Sequence, residues 1–99
     1  MKLIYADTFS VGAFHETFNA SSLLMFAEIY PQIIYRATQS SKQSVEKLVG
    51  DLPPNVTYKP IFLLAGLGHW GNFLRYLSSA IWNIFLALFQ KHDEFLYFN

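Results

Sequence analysis

The chain has 99 residues, room for one domain with a single core and little margin. Seven basic and seven acidic residues cancel, so no electrostatic footprint for nucleic acid is present. The absence of cysteine excludes a disulfide scaffold and a thiolate metal site, and fits a reducing compartment.

Apolar and helix-type segments alternate along the chain, the pattern of a parallel α/β sheet. Leu3–Ala6 is an unbroken apolar run, expected of a central strand buried on both faces. It is too short, ahead of Asp7, to be the core of a signal peptide. The first loop runs from Asp7 to Glu16 with Gly12 as its flexible point, and a helix is predicted from Thr17 to Tyr30, ended by Pro31. Ile33–Ala37 reads as the second strand. Ser40 followed by Gln43 reads as a capping box. It starts a second helix over Ser41–Val49, with Gly50 as its C-terminal cap.

Val56–Leu64 reads as the third strand. Pro60 lies inside it, and proline cannot donate to a ladder, so this strand belongs on a sheet edge. The doubly wound order 3-2-1-4 puts it there. Asn72 is the expected N-cap of a third helix over Phe73–Lys91. Asp93 and Glu94 precede a last strand, Phe95–Phe98. The fold class expected is therefore α/β, a three-layer Rossmann-like parallel sheet in order 3-2-1-4, forming one incomplete domain over residues 1–99.

The third helix is unusual. Arg75, Ser79, Asn83 and Lys91 make one narrow polar stripe, and apolar residues cover most of the remaining circumference. A helix lying on a sheet needs only one apolar stripe. Apolar residues are 53% of the chain and charged residues 14%, against about 25% charged in an average domain. The surplus predicts a dimer or higher oligomer packed through Trp82, Phe85, Leu86 and Phe89, with the polar stripe left to water. A membrane span is the lesser reading, since polar residues interrupt a stretch already at the lower limit of length.

In a parallel sheet the chemistry sits in loops at the carboxyl ends of the strands. Three loops share that edge here. His15 and Glu16 stand beside the strand-order reversal, where His15 could meet a phosphate or hydroxyl; a plain surface histidine is the alternative. Gly66, Gly68 and Gly71 match G-x-G-x-x-G after a strand and before a helix, the arrangement that brings backbone N–H groups to a phosphate. The dinucleotide form needs an acid at the end of the next strand, whereas Asp93 and Glu94 come before it. A helix-capping loop is therefore preferred over phosphate binding. No metal site and no cofactor is expected, because no ligand set converges, and no paired carboxylates or nucleophile elbow suggest a catalytic residue.

The opening stretch Lys2–Gly12, the helix Glu16–Pro31 and the segment Gly71–Trp82 resemble the amino-terminal domain of GT-B glycosyltransferases of the family 4 style. The resemblance implies the acceptor-side part of an enzyme that moves a sugar from a nucleotide sugar to a saccharide or lipid-linked acceptor. It aligns Gly12 with the family's first-loop glycine, with Ala13 where a second glycine often stands, and makes Gly12, His15 and Glu16 the candidate substrate-binding residues. It also implies a carboxyl-terminal donor domain as a missing partner, a cytoplasmic location peripheral to the inner membrane face, and no transfer by this chain alone. The alternatives are a small flavodoxin-like nucleotide- or flavin-binding module, or an interaction module that oligomerises through the third helix.

Overall fold

A computed structural model describes residues 2–8, 16–63 and 71–98, with only the backbone described for residues 16–18 and 71–72. The elements are β1 (Lys2–Ala6), α1 (Glu16–Ile29), β2 (Gln32–Ala37), α2 (Gln39–Val49), β3 (Val56–Pro60), α3 (Gly71–Leu88) and β4 (Glu94–Phe98). All strand pairs are parallel and the order is β3-β2-β1-β4, as the edge proline and the unbroken first strand predict. Leu3, Ile4, Tyr5 and Ala6 of the central strand are all buried.

One face of the sheet carries α1 and α2. Its core consists of Leu3, Tyr5, Ile33, Tyr35 and Ala37 from the strands, with Ala20, Leu23 and Val45 from the helices. A row of tyrosines crosses the sheet on this face: Tyr58, Tyr35, Tyr5 and Tyr97 are register partners on four adjacent strands. Neighbouring ring centroids lie 5.9, 5.9 and 5.2 Å apart, within the favourable range for aromatic pairs. Phe26 of α1 closes over the row, 6.0 Å from Tyr5 and 5.3 Å from Tyr97.

Several boundaries differ from the sequence reading for local reasons. Thr38, not Ser40, caps α2: its extended backbone lets Oγ1 accept from the Ser41 N–H at 3.3 Å, two residues earlier than the capping box implied. Gly50 does end α2, at φ 76°, a conformation open to glycine. β3 stops at Pro60 instead of Leu64, and the ladder closes with the Ile61 N–H donating to Ala37 O at 3.1 Å. α3 begins at Gly71, so Asn72 lies inside it, and ends at Leu88. Glu94 is the first residue of β4, where its carboxylate accepts from the Lys91 N–H at 3.0 Å and pairs with Lys2 at 3.7 Å.

The largest correction concerns α3, on the opposite face of the sheet. The middle of the stripe expected to face water faces inward: Ser79 is only 6% exposed and Asn83 bonds to Thr8, with Leu86 beside them 8% exposed, whereas Lys91, beyond the helix, is exposed. Phe73, Leu77, Ile81, Ile84 and Leu88 face outward, Leu88 at 74% exposure. Trp82 is half-buried and donates its indole N–H to Phe62 O at 3.0 Å. Trp82 and Leu86 therefore do not belong to the outer surface assigned to them above.

The row makes a pH prediction. Burial, with a smaller contribution from Asp7, raises the phenols of Tyr5 and Tyr35 above their ordinary value. Both protonated forms are favoured by folding, so their contribution is complete below about pH 10 and falls as pH rises further, by about 1.4 kcal/mol per pH unit for each tyrosine. The Tyr35 hydroxyl has no hydrogen-bond partner among the described residues. Tyr35→Phe should therefore keep or raise stability at pH 8 and flatten the loss above pH 10, as read by urea midpoints at the two pH values.

Candidate functional site

The carboxyl ends of β1, β2 and β3 lead into Asp7 and Thr8, into Thr38–Ser41, and into Ile61–Leu63. β1 lies between β2 and β4, where the strand order reverses, the usual place for a ligand crevice in an open α/β sheet.

At the end of β1 the polar groups are fixed before any ligand arrives. Asp7 is fully buried, and its N–H donates to Arg36 O at 2.8 Å, extending the ladder one residue past the strand. Asn19, one turn into α1 and also fully buried, donates from Nδ2 to Asp7 Oδ2 at 2.8 Å. Its Oδ1 accepts from the Tyr5 hydroxyl at 2.9 Å. A buried carboxylate is costly unless donors surround it, and Asn19 is the side chain that links this one to the tyrosine row. Thr8, also buried, donates its hydroxyl to Asn83 Oδ1 and so ties the end of β1 to α3.

At the ends of β2 and β3 lies a cavity of about 520 Å³, lined by Thr38, Gln39, Ser40, Tyr58, Pro60 and the segment Ile61–Leu63. It stands beside the α2 N-terminus, not in the β1–β4 crevice. Its lining holds hydroxyls, an amide, an aromatic ring and apolar groups, and no charged side chain among the described residues. Tyr58 is held in place by donating to Ala37 O at 3.0 Å, and Lys42 stands 5.1 Å over its ring. Lys42 also pairs with Glu46 at 3.2 Å.

The candidate residues from the sequence are placed unevenly. Gly12, His15, Gly66 and Gly68 lie outside the described residues. Glu16 is the first residue of α1 and Gly71 the first of α3, so both stand where those helices leave the carboxyl edge. No group of three or more His, Asp or Glu able to hold a metal ion occurs among the described residues. Asn19 and Thr38 were not singled out from the sequence. The usable signal for Thr38 was its position one residue after an apolar strand and just ahead of a serine-rich helix start. Asn19 carried no such signal, since only folding brings it to Asp7.

No family model matches the chain, and no curated protein or solved structure matches it.

Asn19→Ala should cost about 2–4 kcal/mol, because Asp7 and Tyr5 each lose a buried bond, while Tyr5→Phe should cost about 1 kcal/mol. Urea titration of the two variants against the parent checks both values and their order.

Proposed function

We propose that the chain is the acceptor-side part of a glycosyltransferase, the part that receives a saccharide or lipid-linked acceptor while a partner domain holds the nucleotide sugar. The observation that supports this reading is the neutral lining of the cavity at the ends of β2 and β3. A saccharide presents hydroxyls and weakly apolar ring faces, which match Thr38, Gln39, Ser40 and the Tyr58 ring and need no counter-ion. A nucleotide diphosphate needs cationic donors, and none of the described residues lining this cavity is one, the nearest cation, Lys42, being paired with Glu46. The fixed polar groups of Asp7 and Thr8 at the end of β1, beside the strand-order reversal, are consistent with the same edge facing a second domain. No helix among the described residues is long and apolar enough to cross a membrane.

The test is calorimetry and amide chemical-shift mapping with neutral oligosaccharides and a panel of sugar nucleotides. Neutral oligosaccharides should perturb Thr38–Ser40 and Ile61–Leu63, and Gln39→Ala should weaken that binding several-fold. Sugar nucleotides should bind more weakly, with no transfer by this chain alone. Micromolar sugar-nucleotide binding at the same residues would replace this reading with the nucleotide-module alternative.

The outer face of α3 favours a second reading, an interaction module that pairs with a second copy of itself. Eight large apolar side chains of α3 and the residue after it are 45–74% exposed. Aromatic side chains bury ~150–250 Å² each, so this face offers roughly 800 Å², about one partner's share of a stable interface. Its pattern is also self-complementary. Turned end for end about the point between Ala80 and Ile81, Phe73 meets Leu88, Tyr76 meets Phe85 and Leu77 meets Ile84, as a two-fold helix pair requires. Since the chain has no cysteine, Ala80→Cys should cross-link to a covalent dimer under mild oxidation, and Lys47→Cys on exposed α2 should not. Ile81→Arg should shift sedimentation to monomer with helicity unchanged. A parent that sediments as a monomer at tens of micromolar would exclude the pairing.

A further inference from the structure

On the α3 face of the sheet, Arg36 and Lys59 are register partners on β2 and β3, so two cations project side by side from neighbouring strands. Like charges directly opposite one another oppose folding. Neither makes an ion pair among the described residues. Arg36 is the more committed of the two. Its Nε is buried without a hydrogen-bond partner among the described residues, and its guanidinium stands 5.2 Å from the Trp82 ring centroid. Burial also lowers its pKa from the ordinary value, as expected of a charge partly removed from water.

Both side chains line a separate cavity of about 200 Å³, which shares no residue with the neutral pocket. Its apolar part comes from Ile4 and Ile34 of the sheet and Phe85 and Phe89 of the helix end. Glu94 is its one acidic lining residue and is already held by Lys2 and the Lys91 N–H. Lys91 lines the same cavity, so cations outnumber the carboxylate three to one.

From this arrangement we infer a binding site for an amphiphilic anion, a phosphate monoester carrying an alkyl chain, with the phosphate between Arg36 and Lys59 and the chain along Ile34, Phe85 and Phe89. A guanidinium with a free Nε edge suits a phosphate oxygen pair, and the adjacent ammonium supplies a point charge. The apolar wall selects an alkyl ester over inorganic phosphate. Such an ester can come as a free molecule or as a lipid headgroup, and the chemistry at the cations is the same.

The probes are monomeric decyl phosphate, inorganic phosphate, and phosphatidylcholine vesicles with and without phosphatidic acid, each against the whole chain. Decyl phosphate should bind at least tenfold more tightly than inorganic phosphate and raise the Tm. Arg36→Gln should weaken binding at least tenfold. Lys59→Glu, which gives Arg36 an anionic neighbour, should abolish binding and raise the Tm of the free protein, so loss of binding cannot be laid to unfolding. Binding to decyl phosphate identifies a free ester as sufficient. Binding confined to phosphatidic acid vesicles, and lost in Lys59→Glu, identifies a lipid source. Binding to none of the probes, or binding that survives both substitutions, overturns the site.

Discussion

The row of tyrosines across the sheet is the contact on which the remaining structure depends. Four strands each place one tyrosine at the same level, and neighbouring rings pack against one another from β3 to β4, edge to face between Tyr5 and Tyr35 and tilted in the other two pairs. A parallel sheet slips by one residue only by turning its whole inner face outward, and here a slip would expose these rings, so the row pins register. It also sets a polar requirement. Rings this large carry hydroxyls into the core, and each buried hydroxyl needs a partner or costs free energy. Tyr58 finds Ala37 O and Tyr5 finds Asn19. Asn19, so fixed, then orients Asp7. The polar end of β1 is thus a consequence of how the core is filled.

Helix α3 answers a different demand. The groups it must satisfy on the sheet side are polar: the Thr8 hydroxyl, the Phe62 carbonyl and the face of the Arg36 guanidinium. Asn83 and Trp82 meet them, and turning those residues inward leaves Leu77, Ile81, Ile84 and Leu88 toward solvent. A fully buried leucine or isoleucine is favoured by about 1.5–3 kcal/mol over an exposed one, so this orientation leaves a substantial apolar face unburied. That face and the carboxyl edge point in different directions. A partner on α3 and a ligand or second domain at the strand ends can therefore coexist.

The two cavities differ in chemistry as sharply as in position. The one beside the α2 start is neutral and rich in hydroxyls. The one beneath the end of α3 combines apolar side chains with three cations and one carboxylate. The alternation of side chains along a strand produces this separation: Tyr58 and Lys59 are adjacent in the chain yet serve opposite faces. A single edge strand thus contributes to both.

The parallel sheet, its order and its central strand were legible in the chain itself, because they follow from local facts. Leu3–Ala6 has no polar member, Pro60 cannot donate in a sheet interior, and Pro31 and Gly50 end helices by their own backbone limits. The tyrosine row was legible in principle, since every strand carries one tyrosine, but only register shows that the four are neighbours. The direction of α3 was not legible. Periodicity locates a polar stripe and an apolar face but is silent on which one meets the sheet, and burial usually goes to the apolar one. Here the unsatisfied partners at Thr8, Phe62 and Arg36 lie from 20 to 75 residues away in the chain or on another strand. The joining of Asn19 to Asp7, and of Arg36 to Lys59 beneath α3, likewise exists only once distant segments meet. Composition alone determined that apolar surface would exceed what one small core can hide; tertiary structure decided where the excess lies.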